Sequence, residues 1–147
     1  MLSPSLEDYL EELYRTLLKK SHIRIKDIAD CLGVSMPSVV KGLRRLDRLG
    51  YIDYKPYQEI ILLDKGKKNG RFLVERNKIL RDFIKIIGSD CDIEAEAEAM
   101  EHYLSKPSIK SIEKLTRFLQ ENHEILSKLQ NFKYVSILHN ELDDIEY

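Results

Sequence analysis

Tryptophan is missing from these 147 residues, and cysteine occurs twice, at Cys31 and Cys91. Two thiols are too few for a disulfide framework, so the fold has to rest on apolar packing. Cys31 falls late in a short helical pattern and is expected to be a small core residue. Cys91 falls in a loop pattern, GSDCD, and reads either as a stray metal ligand or as a tolerated thiol. Glycine (6) and proline (4) are sparse, and no internal repeat or low-complexity tract is present. That excludes linker-like and collagen-like chains. No apolar run is long enough to cross a bilayer, so no membrane partner is expected. The opening stretch MLSPSLEDYLEE is acidic and lacks the basic region, apolar core and cleavage site of a signal peptide. The expected location is therefore the cytoplasm. No nucleophile constellation accompanied by substrate-binding groups stands out, and no enzyme is expected. Excess charge is missing as well: the net is −1.

What is present is a folded composition, 43% hydrophobic against 33% charged, long enough for one sizeable core or two small ones. The near-neutral total hides an asymmetry. Residues 1–76 carry 15 Lys+Arg and 11 Asp+Glu, a net of +4, whereas residues 77–147 carry 9 and 14, a net of −5. A basic first half and an acidic second half suggest two different tasks.

The basic half is organised around residues 23–63. IRIKDIADCLGV reads as a short helix that stops at Gly33, a residue suited to a left-handed turn. Ser35 then caps a second helix, SMPSVVKGLRRLDRLG, which closes at Gly50. YIDYK and EIILL follow as strands, with Pro56-Tyr57-Gln58 as the tip of a hairpin. This order is a winged helix-turn-helix, a layout that places its second helix in the DNA major groove. Val39, Leu43 and Leu46 form the buried stripe of that helix, and Leu49 extends it. Lys41, Arg44, Arg45 and Arg48 lie largely off the stripe, opposed only by Asp47. Taken alone, they are also consistent with the solvated face of a core helix.

A helix precedes this unit, opened by Ser3-Pro4 and striped by Leu6, Leu10, Leu13 and Leu17. Asp8 and Glu11 lie off its stripe on one side, and by themselves they read as solvated first-turn acids. After the hairpin, Asp64 is expected to cap a long helix to Ile87, ended by Gly88. Its apolar face takes in Phe72, Leu73, Leu80, Phe83, Ile84 and Ile87. Asn77 sits on the interior line of that helix and needs a partner. Residues Ile93–Leu104, IEAEAEAMEHYL, form a further helix whose Glu94, Glu98, Glu101, His102 and Ser105 share one face. Stacked carboxylates repel unless a cation compensates. Lys and Arg are absent between Lys85 and Lys106. Glu98, Glu101 and His102 offer two oxygens and an imidazole to one divalent ion; an exposed acidic helix is the equal alternative. A last long helical pattern follows Pro107-Ser108, striped by Ile109, Ile112, Leu115 and Leu119, with His123 in a polar turn. The tail ends in NELDDIEY, and His139 beside those acids reads as part of a mobile polar tail in preference to a loose metal ligand. The apolar stripes exceed what one chain can hide, which implies a dimer interface.

The stretches SPSLEDYLEELY, KDIADCLGVSMPSVVKGLRRLDRLGYIDY, LLDKGKKNGRFLVERNKIL, DFIKIIG and EAMEHYLS resemble the diphtheria toxin repressor family of metal-dependent bacterial regulators. Within it, the likeness is to the short manganese transport regulator branch. The resemblance implies a mainly α fold: an N-terminal winged helix-turn-helix with a two-stranded wing over residues 1–70, then an all-helical metal-binding and dimerisation domain over 71–147. No SH3-like third domain is expected. It implies Asp8, Glu11, Glu98, Glu101 and His102 as metal ligands. Position 77 departs, because Asn77 stands where that branch has a histidine serving a second ion, and an amide oxygen is a weak ligand. Iron-type members use sulfur where this chain has Asp8 and Glu98, so oxygen ligands point to Mn2+, with Fe2+ or another divalent transition metal as the alternative. The expected function is a homodimeric, Mn2+-dependent repressor of metal-uptake genes that binds a palindromic double-stranded DNA operator. Ser35, Pro37, Ser38 and Lys41 are expected near bases, and Arg44, Arg45, Lys55 and Tyr57 at phosphates. The rivals are a winged helix that has lost manganese sensing through Asn77 and a protein-docking winged helix without DNA.

Overall fold

The computed structural model describes residues 2–20 and 22–135. The acidic tail, with Ile137, Leu138 and His139, lies outside the described residues. Helix α1 (Pro4–Lys19) opens with Ser3 extended and Pro4 in the first turn, where its missing N–H has no helical partner to lose. Helix α2 (Ile25–Leu32) stops at Gly33, whose φ of 62° is left-handed. Helix α3 (Met36–Arg48) begins at Ser35, whose Oγ accepts the Ser38 N–H at 3.3 Å. Strands β1 (Ile52–Asp53) and β2 (Ile61–Leu62) pair antiparallel, with Ile52 opposite Leu62. Helices α4 (Asp64–Ile86), α5 (Ile93–Glu101), α6 (Lys106–Glu121) and α7 (His123–Gln130) complete the described chain. The architecture is the mainly helical one expected, a winged helix-turn-helix followed by an all-helical region.

Two apolar clusters hold it together. The first gathers Leu10 and Leu13 of α1, Ile28 of α2, Val39, Leu43 and Leu46 of α3, Ile52 of β1 and Leu73 of α4. The second gathers Leu80 and Ile84 of α4 with Ala97 and Ile109. Helix α4 thus feeds both, and its rigid backbone links them. Close approaches set the angles within the first cluster. A Cβ on Gly42 would lie 2.4 Å from the Tyr9 ring, so α1 and α3 touch where α3 has no side chain. The wing is fastened from both sides. Asp47 accepts the Tyr54 N–H at 3.1 Å, and the Tyr51 carbonyl accepts the Leu63 N–H at 3.0 Å.

Several local expectations are corrected. Leu49 does not extend the α3 stripe: it is the C-cap and is 43% exposed, because the chain turns toward the wing there. Cys31 is exposed rather than in the core. The eight-residue α2 buries only Ile28 and Ala29, and Cys31 falls outside that narrow stripe, facing Glu12. Leu63, not Asp64, caps α4, and Asp64 stands in its first turn. Ile87 leaves the apolar face of α4 and is exposed. The strands are two residues each, shorter than YIDYK and EIILL suggested. Helix α5 ends at Glu101, three residues early, leaving His102 as its C-cap. Asn122 leaves helical geometry at φ −122° and ψ 76°, which separates α6 from α7.

Candidate metal centre and nucleic-acid interface

A cleft of about 380 Å³ opens where α1 faces α4 and α5. Asp8, Glu11, Glu12 and Arg15 approach it from α1, Asn77 from α4, and Glu94, Glu98 and Glu101 from α5. Helical spacing explains the α1 contribution: Asp8, Glu11 and Arg15 repeat every three to four residues on one side. The end of α5 brings Glu101 and His102 to the same place. Asp8 Oδ1 lies 3.6 Å from His102 Nε2, which is 3.9 Å from Glu101 Oε1. One donor atom from each of Asp8, Glu101 and His102 falls within 4.8 Å of the other two.

Behind these donors is a buried ion-pair group. The Arg76 guanidinium reaches Glu7 at 3.0 Å and Glu101 at 3.4 Å. Glu7 also stands 3.5 Å from His102 Nδ1, a buried nitrogen with no hydrogen-bond partner among the described residues. To one side, Asn77 Nδ2 donates to Glu101 Oε2 at 3.1 Å. Arg15 Nη2 lies 2.5 Å from Glu11 Oε1 and donates to Asn77 Oδ1 at 3.5 Å.

The field in the cleft is strongly negative. Burial pushes the Asp8 carboxyl above the usual carboxylate value; nearby His102 opposes this, while Glu98, Glu11 and Glu7 add to it. Burial also raises Glu11, reinforced by Glu101 and opposed by Arg15 and Arg76. Two carboxylates and an imidazole that converge, one with a raised pKa, are the donor set a divalent cation satisfies. An oxygen-rich, sulfur-free set suits a hard or borderline ion. The residues therefore fit a divalent metal.

Of the five residues expected as ligands, Asp8, Glu101 and His102 are brought together. Glu11 is in the cleft but directed to Arg15, and Glu98 is exposed on the rim. Asn77 faces the cleft as a bridge between Arg15 and Glu101. Sequence reasoning missed Glu7, Arg15 and Arg76. Arg76 carried a signal: with Leu73 and Leu80 it keeps the i, i+3, i+7 spacing of the buried stripe, where a charge has to find a partner.

A second surface is built by α3 and the wing. Ser35, Pro37, Ser38, Lys41, Arg44 and Arg45 are all exposed, as are Lys55 and Tyr57 at the wing. A shallow hollow runs along α3, lined by Met36, Pro37, Val40, Lys41, Arg44 and Arg48. Burying Val39, Leu43 and Leu46 turns the four basic side chains outward. Tyr57 projects fully from the wing tip with a left-handed φ of 65°.

Comparison with known proteins gives a consistent picture. Residues 1–60 match the family model described as the iron dependent repressor N-terminal DNA binding domain. Residues 63–129 match the iron dependent repressor metal binding and dimerisation domain. The chain is 39% identical over 134 residues to the HTH-type transcriptional regulator MntR of Lysinibacillus sphaericus, covering 90% of this chain and 96% of that one. To MntR of Bacillus subtilis it is 37% identical over 142 residues, covering 96% of this chain and all of the other. The solved structure of the manganese regulator SloR is similar in fold, with a TM-score of 0.68 at 24% identity over 80% of this chain and 55% of that one.

Proposed function

On the premise that the chain belongs to the iron-dependent repressor family, we propose that it is a transcriptional regulator, not an enzyme, which binds operator DNA as a homodimer when Mn2+ is plentiful. Its targets on this reading are metal-uptake genes with a palindromic operator. Residues 1–70 form the DNA-reading half and residues 71–147 the metal-binding and dimerising half. One observation carries the proposal: Asp8, on a helix of the reading half, meets Glu101 and His102 at the end of α5 in the other half.

Asp8, Glu101 and His102 would hold the ion, with Glu11 and Glu98 in the same cleft. When bound, the ion supplies the positive charge that these carboxylates lack. The chain itself supplies the lever. Tyr9, beside Asp8, rests its ring on Gly42 in the middle of α3. Fixing α1 against α5 therefore fixes α3 relative to the dimer, and two α3 helices at a set separation fit two half-sites. Ser35, Pro37, Ser38 and Lys41 meet base edges, while Arg44, Arg45, Lys55 and Tyr57 meet phosphates. Loss of sensing through Asn77 is not favoured, since the chain matches the metal binding and dimerisation domain of the family and Asp8, Glu101 and His102 still converge with Asn77 turned to Arg15 and Glu101.

Fluorescence anisotropy on the chain's own upstream DNA, with Mn2+ and then with chelator, tests this. Binding should tighten by roughly 5–150-fold with the ion, the usual range for coupling between sites. Equal binding in both conditions refutes metal gating. Binding without salt dependence refutes the DNA interface, since phosphate contacts always carry that dependence.

A further inference from the structure

The acidic cleft divides into two parts that differ in how their charge is met. On one side Asp8, Glu101 and His102 converge on a common point. On the other side Glu11 is already answered. Arg15, one turn later on α1, brings Nη2 to 2.5 Å from its Oε1. The same nitrogen reaches Asn77 Oδ1 at 3.5 Å, and Asn77 passes the contact on to Glu101 through Nδ2 at 3.1 Å. Arg15, Asn77 and Glu101 thus form a bridge across the cleft from α1 through α4 to α5. Among the described residues, the set of three donors lying within 4.8 Å of one another includes neither Glu11 nor Glu98.

We infer that Arg15 is a resident cation: its guanidinium, with Asn77 as acceptor, takes the place beside Glu11 that a second divalent ion would need, so that each subunit binds one ion and not two. The inference rests on the metal-responsive reading above and adds to it the number of ions and the residue that sets it. The chemistry favours this assignment. A guanidinium never loses its charge and pairs with carboxylate oxygens in a fixed geometry. Asn77 presents its oxygen to Arg15 and its amide nitrogen to Glu101, so it serves as a hydrogen-bond bridge and lends no lone pair of strength to a metal. The side chain of Glu11 is only 10% exposed and that of Arg15 41%. Half-buried pairing of this kind persists where a surface pair would be screened.

Native mass spectrometry of the metal-loaded protein counts the ions directly. The wild type should carry one Mn2+ per subunit. Asn77→His adds an imidazole donor but leaves the guanidinium in place, and should still carry one. The Arg15→Ala/Asn77→His double variant frees Glu11 beside that imidazole and should carry two. Circular dichroism checks that the double variant keeps its helices. Two ions on the wild type or on Asn77→His, or only one on the folded double variant, overturns the inference and leaves the metal-responsive reading standing. No ion on the wild type overturns both.

Discussion

A carboxylate buried among other acids is a burden on the metal-free fold. Asp8 and Glu11 are both held above the usual carboxylate value, by burial first and by neighbouring acids second. Protonation of such groups favours the folded chain: that stability is complete below the ordinary value and is lost as the pH rises through the raised one. At neutral pH both charges therefore oppose the metal-free fold, Asp8 less so because its side chain is 36% exposed and partly screened. Asp8→Asn should raise the melting temperature in chelator, by the ~0.5–2 kcal/mol common for relieved charge conflicts. The same change should weaken Mn2+ binding by more than the roughly 10–100-fold that losing an outer-shell partner costs. Melting curves with and without Mn2+ read both effects, and a lower melting temperature in chelator would refute the repulsion argument. Glu101 and His102 stood out in the sequence as an acid and an imidazole on one helix face with no base between Lys85 and Lys106, whereas Asp8 read alone as a solvated first-turn acid and was singled out only by the family resemblance. Arg15 and Arg76 were not, since their partners Glu11, Asn77, Glu7 and Glu101 come together only once α1 lies along α4.

At the level of elements, the helices followed from apolar spacing and caps, and the places where they stop followed less well. Helix α5 ends at Glu101 with His102 as its C-cap, and Asn122 splits α6 from α7, where the pattern alone ran on. The wing shows the same limit. Its strands are short because side-chain and carbonyl anchors from Asp47 and Tyr51 hold it, in place of a long ladder. Gly66, in the first turns of α4, is where the wing and α4 press together. A Cβ there would lie 2.0 Å from the Tyr51 carbonyl oxygen, which is backbone and already accepts the Leu63 N–H. Alanine would gain up to ~1 kcal/mol of helix propensity in an open helix. Overpacking typically costs about 1–3 kcal/mol, more where the neighbour cannot move. The clash should win. Gly66→Ala is expected to lower stability by roughly 1–3 kcal/mol, measured by urea unfolding, and to weaken operator binding through the displaced wing. A variant as stable as wild type would show that this contact is looser than it looks.

Across the whole molecule, charge and apolar surface are segregated as a dimeric DNA reader requires. The basic side chains of α3 are exposed, the acidic cleft lies between the halves, and exposed apolar side chains recur along the last two described helices. Leu115 and Phe118 on α6 and Ile125 and Leu129 on α7 are each at least 40% exposed. Single exposed apolar residues are ordinary, but four on two consecutive helices form a patch that a second copy would cover. All four residues lie within 63–129, the stretch matched by the dimerisation domain of the family. Phe118 is 47% exposed, so replacing it should leave the monomer folded. Phe118→Glu places a charge in the patch, where pairing two copies would bury it beside its own counterpart. Sedimentation should then show monomers at concentrations where the wild type is dimeric, with an unchanged helical circular dichroism spectrum. Operator affinity should fall by about 10²–10⁴, the gain that linking two half-site readers provides, while Mn2+ binding by each subunit should persist because the cleft is built within one chain. A Phe118→Glu protein that remains dimeric would place the interface elsewhere. One that loses Mn2+ together with the dimer would mean that the partner subunit helps to hold the cleft in shape.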